Sequence, residues 1–271
     1  MKPSGNLARP FDEVWQELER RHGWSIRIAG WENPAPAVSR AAYVWSDYDN
    51  RHAVAFRERH RLAELVEDAR DDWEALLRLR HWTFVNMIND TEACLPFQEA
   101  FSALDPAALV AASHAGGAFW CSYFSMVFLA AASSLGFAAR KLSIDTEHTA
   151  AEKGAHHGVV DVWVNAFCKW VHLDPNYDHH YELGGVPLNT EEIGRLWQER
   201  RGEGLEPRVG PERRPVPRAR VGKRCKPEAC GCFWHLIECR NDVFRRDGRG
   251  SKSPAVMLVD EARKKQRWYQ G

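Results

Sequence analysis

Three residues, Cys121, His157 and Asp174, supply in chain order the groups that acyl transfer by sulfur requires. A thiolate is the nucleophile, an imidazole holds and delivers protons, and a carboxylate fixes the imidazole's tautomer. On this reading Cys121 attacks a carbonyl carbon. His157 pairs with the thiolate and later protonates the leaving group, while Asp174 accepts a hydrogen bond from the other ring nitrogen. The backbone N–H of Cys121 is a natural half of an oxyanion hole. The indole of Trp82 or Trp120 is a guess for the second donor.

The elements around these residues must bring them together. Gly116-Gly117-Ala118-Phe119-Trp120 reads as a tight loop entering a helix, and Cys121 opens that helix. The apolar, Ala-rich run from Ser122 to Leu135 holds no Gly or Pro, and Gly136 follows where a left-handed residue closes a helix. Cys121 therefore sits in the first turn, where free N–H groups and the positive end of the dipole stabilise a thiolate. Further on the period changes from helix to strand. Residues 139–144 read as a strand and 145–155 as a polar loop. In His157–Val164, His157, Val159, Asp161 and Trp163 share a face; in Lys169–Asp174, Trp170, His172 and Asp174 do. Asn165–Cys168 is a plausible hairpin connection. If Val164 pairs with Lys169, Asp174 falls opposite Val159 and becomes the diagonal neighbour of His157.

Upstream, Phe11, Val14, Trp15 and Leu18 have helical spacing, Ser25–Ile28 alternates as a short strand, and residues 30–50 read as a long ordered loop. A helix is expected over about 53–66. Asp71 caps another that places Trp73, Leu76, Leu77 and Phe84 on about one face. Asp105-Pro106 opens a third, ending near His114.

Composition sets the frame. The 271 residues are 44% hydrophobic and 27% charged, with a formal net charge of zero, so no bulk field argues for nucleic acid or membrane. The longest apolar run is too short for a bilayer, and the N-terminal residues lack a secretion signal's apolar core. With seven cysteines, an odd number, this points to a cytoplasmic protein with mostly reduced thiols. Residues 200–224 are rich in Arg, Pro and Gly and read as a mobile or loosely packed basic loop. Nucleic-acid binding there lacks aromatic interleaving, so a solvated loop is the default. Cys225, Cys230, Cys232 and Cys239, with His235 among them, invite a structural zinc. Their spacing departs from paired knuckles, so ordinary thiols are the default. Of the remaining histidines, His156 points away from His157, His172 is a cross-strand packing residue beside Asp174, and His179 and His180 fall at the surface. Arg140 reads as a buried structural ion pair, and Trp163 and Trp170 as core or cleft wall.

Taken together, Cys121-Ser-Tyr-Phe-Ser-Met-Val-Phe, Leu135-Gly-Phe-Ala-Ala-Arg140, His157-Gly-Val-Val-Asp161 and Leu173-Asp-Pro175 resemble the transglutaminase-like superfamily over about residues 70–197. Leu77-Arg-Leu-Arg-His-Trp82 resembles the helix before its nucleophile. Phe119-Trp120 stand where that family often has Gly, Val159 stands for its aromatic and Asp161 for its Glu. The resemblance implies an α+β, papain-like fold: a helical half carrying Cys121, packed on an antiparallel sheet carrying His157 and Asp174. It also implies no cofactor.

The organisation expected is an N-terminal extension over 1–69 packed on the core, a catalytic core over 70–199, the basic loop over 200–224 and a Cys-containing segment over 225–271. The expected function is cysteine-dependent acyl transfer on an amide or ester bond through a thioester, ending in hydrolysis or transamidation. Its substrate would be a protein, peptide or glycoconjugate, with no membrane partner. The alternative is a catalytically idle module that binds glycan or peptide through a Trp-rich cleft.

Overall fold

The computed structural model describes residues 20, 49–89, 105–145, 156–200, 202–216 and 235–238. Met1–Arg40 and Ala41–Gly271 are separate compact units, and of the first only the exposed, helical Arg20 is described. The helix expected over Phe11–Leu18, the strand over Ser25–Ile28, most of the 30–50 loop and Cys225–Cys232 and Cys239 thus lie outside the described residues.

The second unit is α+β. Among the described residues its helices are α1 (Arg51–Arg59), α2 (Leu62–Val66), α3 (Asp72–Asn86), α4 (Pro106–His114), α5 (Cys121–Ser134) and α6 (Thr190–Arg200). Its strands are β1 (Ala139–Asp145), β2 (His156–Val164), β3 (Lys169–Leu173), β4 (His179–Leu183), β5 (Val186–Pro187), β6 (Glu206–Val209), β7 (Arg214–Pro215) and β8 (His235–Glu238). These described strands form two four-stranded sheets, ordered β3-β2-β1-β8 and β5-β4-β6-β7, and among the described residues the strand pairs are antiparallel. Among the described residues no helix is long and apolar enough to cross a membrane.

α5 is the centre of the fold because it has no polar side to give to water. From Val127 to Ser134 every residue is buried, with α1, α3 and α4 packed on it and β1 and β2 beneath. The small residues Ala130–Ser134 let those neighbours come close, and the Ser133 and Ser134 hydroxyls bond back to Leu129 O (2.6 Å) and Ala131 O (2.9 Å). Gly136 closes the helix with φ 87°; its N–H reaches Ser133 O and the Phe137 N–H reaches Ala132 O. The neighbouring helices start as their sequences direct. Asp71 accepts the Glu74 N–H (2.8 Å) and Asp105 accepts the Ala107 N–H (3.0 Å), with Pro106 in the first turn. The helix expected over 53–66 is broken at His60–Arg61, where Arg61 takes φ 52°. On α3, Trp73, Leu76 and Leu77 are buried as expected, but Phe84 is exposed and stacks on His81.

The first sheet has the expected register: Val164 pairs with Lys169 and Val160 with Leu173. Its β2–β3 connection is a 3-10 turn, Asn165–Phe167, then Cys168 at φ 50°. The Asp72 carboxylate accepts the Asn165 and Ala166 N–H groups and ties this turn to the start of α3. Both sheet faces are buried. Val160, Val162 and Val164 join the core under the helices; Val159, Leu142 and Ile144 join a second core with Tyr181, Leu188 and Ile193. Each such aliphatic side chain contributes about 1.5–3 kcal/mol by leaving water.

Two expectations are corrected here. Within the segment read as a loose basic loop, residues 206–209 and 214–215 are strands, because Arg208 and Arg213 both find the buried carboxylate of Glu182 on β4. His179 and His180 are buried rather than at the surface: β4 lies between β5 and β6, and Arg80 and Trp73 of α3 contact His180.

Candidate active site

The loop that delivers Cys121 is fixed before the helix begins. Gly116 takes φ 93°, and the Gly116 and Gly117 N–H groups close α4 on Ser113 O and Ala112 O. Ala118 then forms a parallel bridge to Ile88, the Phe119 N–H donates to Ile88 O (2.8 Å), and Ser113 Oγ accepts the Ile88 N–H (2.7 Å). Trp120 is the N-cap of α5 and supplies no side-chain cap. The Tyr123 N–H donates to Trp120 O (3.0 Å), so it is the Cys121 and Ser122 N–H groups at the helix start that face any oxyanion formed beside the sulfur.

β2 meets this helix start with its backbone. Gly158 lies so close that a Cβ there would stand 3.0 Å from Ser122 Cα and 3.2 Å from Ser122 N. Its N–H donates to Cys121 Sγ at 3.4 Å. A glycine inside a strand often marks such an approach. The residue before it, His157, is close enough to the Cys121 thiol for its imidazole to favour the thiolate, and it hydrogen-bonds Asp174. His157 Nε2 lies 2.6 Å from Asp174 Oδ2, which leaves Nδ1 for the sulfur.

Asp174 is held as firmly as the ring it orients. It leaves β3 and bridges His179, so the ends of the Pro175–Asp178 turn are hydrogen-bonded in both directions (2.9 and 3.1 Å). Its Oδ1 accepts the N–H groups of Asn176 (2.9 Å) and Tyr177 (3.3 Å), and Oδ2 is left to His157. Tyr177 stacks on the His157 ring with centroids 5.3 Å apart, shielding it.

The electrostatics follow from this packing. Burial alone would push the Cys121 thiol up. The hydrogen bond and charge of His157 and the Gly158 N–H outweigh it, so the thiol lies below its ordinary value. Burial opposes protonation of His157, yet the Asp174 charge and the bonds to Asp174 and Cys121 raise it well above the ordinary histidine value. Asp174 is held below the usual carboxylate range in spite of burial, chiefly by the charge and hydrogen bond of the His157 imidazolium. The favoured state is a thiolate beside an imidazolium, oriented by a carboxylate.

Other sequence candidates take different places. Trp82 packs its ring on His60 (5.3 Å) and Phe56 (6.2 Å), as part of the helical layer. Trp120 is half-buried against the main core. Arg140 pairs with buried Asp161 at 3.2 Å and lies over Trp170, which meets Trp163 edge-on. His172 is buried, its Nδ1 2.9 Å from Thr190 Oγ1, whose hydroxyl donates to Asp161. His156 pairs through its backbone with Asp145, and its side chain is outside the described residues. Gly158, Asn176 and Tyr177 were not singled out from sequence, although the glycine in a strand and the Asp-Pro-Asn turn signal were both legible. Among the described residues no group of three His, Cys, Asp or Glu could hold a metal ion.

Comparison of the chain with protein-family models, with curated proteins and with solved structures found no match in any of the three.

Proposed function

We propose that this chain is a cysteine-dependent acyl-transfer enzyme of papain-like arrangement, acting on an amide or ester bond through a thioester. The observation that carries the reading is the His157–Asp174 hydrogen bond (2.6 Å), set one residue from Gly158, whose N–H donates to Cys121 Sγ (3.4 Å). In the first half-reaction Cys121 Sγ attacks the carbonyl carbon, and the developing oxyanion turns to the first-turn N–H groups of α5. His157 gives its proton to the leaving amine or alcohol as the carbon–heteroatom bond breaks, leaving an acyl thioester on Cys121. In the second, His157 takes a proton from water or an amine as that nucleophile attacks, and the thiolate leaves to restore the ion pair. Water gives hydrolysis and an amine gives transamidation, on a protein, peptide or glycoconjugate.

The test is chloroacetamide labelling with peptide-resolved mass readout. Exposed Cys168 is the internal standard. Cys121 should label much faster than Cys168, and His157→Ala should abolish the difference by removing a proton-transfer group worth about 10²–10⁴ in rate. Equal labelling of both cysteines in the native chain would overturn the proposal.

A further inference from the structure

The most buried cation described is not at the sulfur but one turn of chain behind Asp174. Arg80 of α3 is fully buried and makes three hydrogen bonds. Its Nε donates to Asp178 Oδ1 (2.9 Å), Nη2 to Gly210 O (2.9 Å) and Nη1 to His180 Nδ1 (2.8 Å). Because His180 Nδ1 accepts, its Nε2 donates to Glu182 Oε1 (2.9 Å). Asp178 is equally occupied. His81 Nδ1 lies 2.7 Å from its Oδ2, and its carbonyl accepts the Gly210 N–H at 3.0 Å. It also ends the Pro175–Asp178 turn in the left-handed region, at φ 52°.

Stability does not explain this arrangement. Burying a guanidinium costs several kcal/mol, and exchanging a buried ion pair for apolar groups of similar volume is often neutral or favourable. Burial draws the Arg80 guanidinium below its ordinary value despite the nearby Asp178 and Asp174 charges, so the charged state is not favoured for its own sake. What the pair supplies is direction. A planar fork with fixed donors sets the turn relative to α3 and to the second sheet more narrowly than apolar contact does. At the turn's other side Asn89 Nδ2 donates to Asn176 Oδ1 (2.8 Å). Both ends of the turn are thus tied to α3 or the residues just after it, and those residues also hold the loop before Cys121 through Ile88.

We propose, resting on the acyl-transfer reading above, that Arg80 and Asp178 are positioning residues that fix the Pro175–Asp178 turn on α3 and thereby aim the Asp174 carboxylate at His157. Neither touches the reacting atoms. Their loss acts through Asp174, which faces His157, His179 and His172 and feels the Arg80 charge.

The experiment compares the native chain with Asp178→Asn and with the double variant Arg80→Met/Asp178→Asn. Asn tolerates the left-handed backbone, and the double variant removes the unpaired cation that could unfold the single one. The first readout is the titration of the His157 imidazole by NMR, which needs no catalysis. Its proton affinity should fall by about tenfold, one pKa unit, in each folded variant. The second is chloroacetamide labelling of Cys121 against pH, which should slow by about ten- to a hundredfold, the cost of misplacing a reacting group by up to about 1 Å, with its acid limb displaced upward. A loss of folding stability alone moves neither readout in the folded fraction. An unchanged His157 titration in either folded variant overturns the proposal. Failure of both variants to fold assigns the pair to folding and also overturns it. If the titration shifts while native Cys121 labels no faster than Cys168, the positioning role stands and the acyl-transfer reading falls.

Discussion

The contact most sensitive to a single atom is the one between Gly158 and Ser122. A Cβ at 158 would sit 3.0 Å from Ser122 Cα, against an ordinary carbon–carbon contact of about 3.5 Å. The obstacle is backbone, so no rotamer change relieves it, and Gly158→Ala must move β2 off the first turn of α5 by about 0.5 Å. That displacement falls on the 3.4 Å bond from the Gly158 N–H to Cys121 Sγ and, one residue away, on His157. At about a hundredfold per ångström of misplacement, about 0.5 Å corresponds to roughly a tenfold slower reaction of Cys121. Overpacking of this kind costs about 1–3 kcal/mol of stability, offset by about 0.4–1 kcal/mol because Ala restricts the unfolded chain more than Gly. The net destabilisation should be about 0–3 kcal/mol. The assay pairs chloroacetamide labelling of Cys121 with urea unfolding of the same preparation, so that rate and folded fraction are separated. Gly158→Val, with two more carbons at the same place, should be slower still. A Gly158→Ala chain that labels at the native rate would mean that the helix start and the strand do not meet as described, and the account of how sulfur and imidazole are brought together would fail with it.

Other expectations follow from the buried charges. Because the Cys121 thiol lies below its ordinary value of about 8.5, its labelling between pH 8 and pH 6 should fall less than the about 100-fold lost by a simple thiol over the same two units; a simple-thiol profile would contradict the ion pair. His172, His179 and His180 are buried neutral, driven down to about 3, 4 and 3 chiefly by burial. A histidine depressed in the folded state contributes stability above its unfolded value of about 6.5 and loses it as pH falls towards the folded value. Asp174 and Glu182, the latter held at about 2, lose their contributions lower still, below about pH 4. His157 is opposite in sign: raised in the fold, it contributes fully below about 6.5 and loses that contribution only as pH rises through its folded value. Urea midpoints should therefore decline steadily from about pH 6.5 downward, with net proton uptake on unfolding; a midpoint flat from pH 7 to pH 4 would be inconsistent with these imidazoles being neutral and buried. Glu182→Gln removes the anion facing Arg208, Arg213 and His180 and should cost about 3–5 kcal/mol in urea unfolding, whereas breaking the exposed Arg61–Glu64 pair should leave the urea midpoint nearly unchanged.

How much of this was legible in the sequence depends on the range of the physics involved. Local rules did well. The caps at Asp71 and Asp105, the glycine closures at Gly116 and Gly136 and the strand alternation in β2 and β3 are all decided within a few residues. From the hairpin register alone, Asp174 could be placed beside His157. Rules of composition did less well. The Arg-rich run 200–224 read as solvated because its basic residues far outnumber its own Glu, yet Arg208 and Arg213 meet Glu182, 26 and 31 residues away. His179 and His180 read as exposed because polar doublets usually are; what buries them is a strand on either side and a helix some 100 residues earlier. The frame of the site belongs to this second class. α3 carries none of Cys121, His157 and Asp174. Through Asp72 it holds the β2–β3 turn, and through Arg80 and His81 the turn behind Asp174; Ile88, just beyond its end, holds the loop that delivers Cys121. None of these ties has a sequence period, so no local pattern marks them. Together they make one helix the common reference for sulfur, imidazole and carboxylate, and a shift of α3 would move all three supports at once.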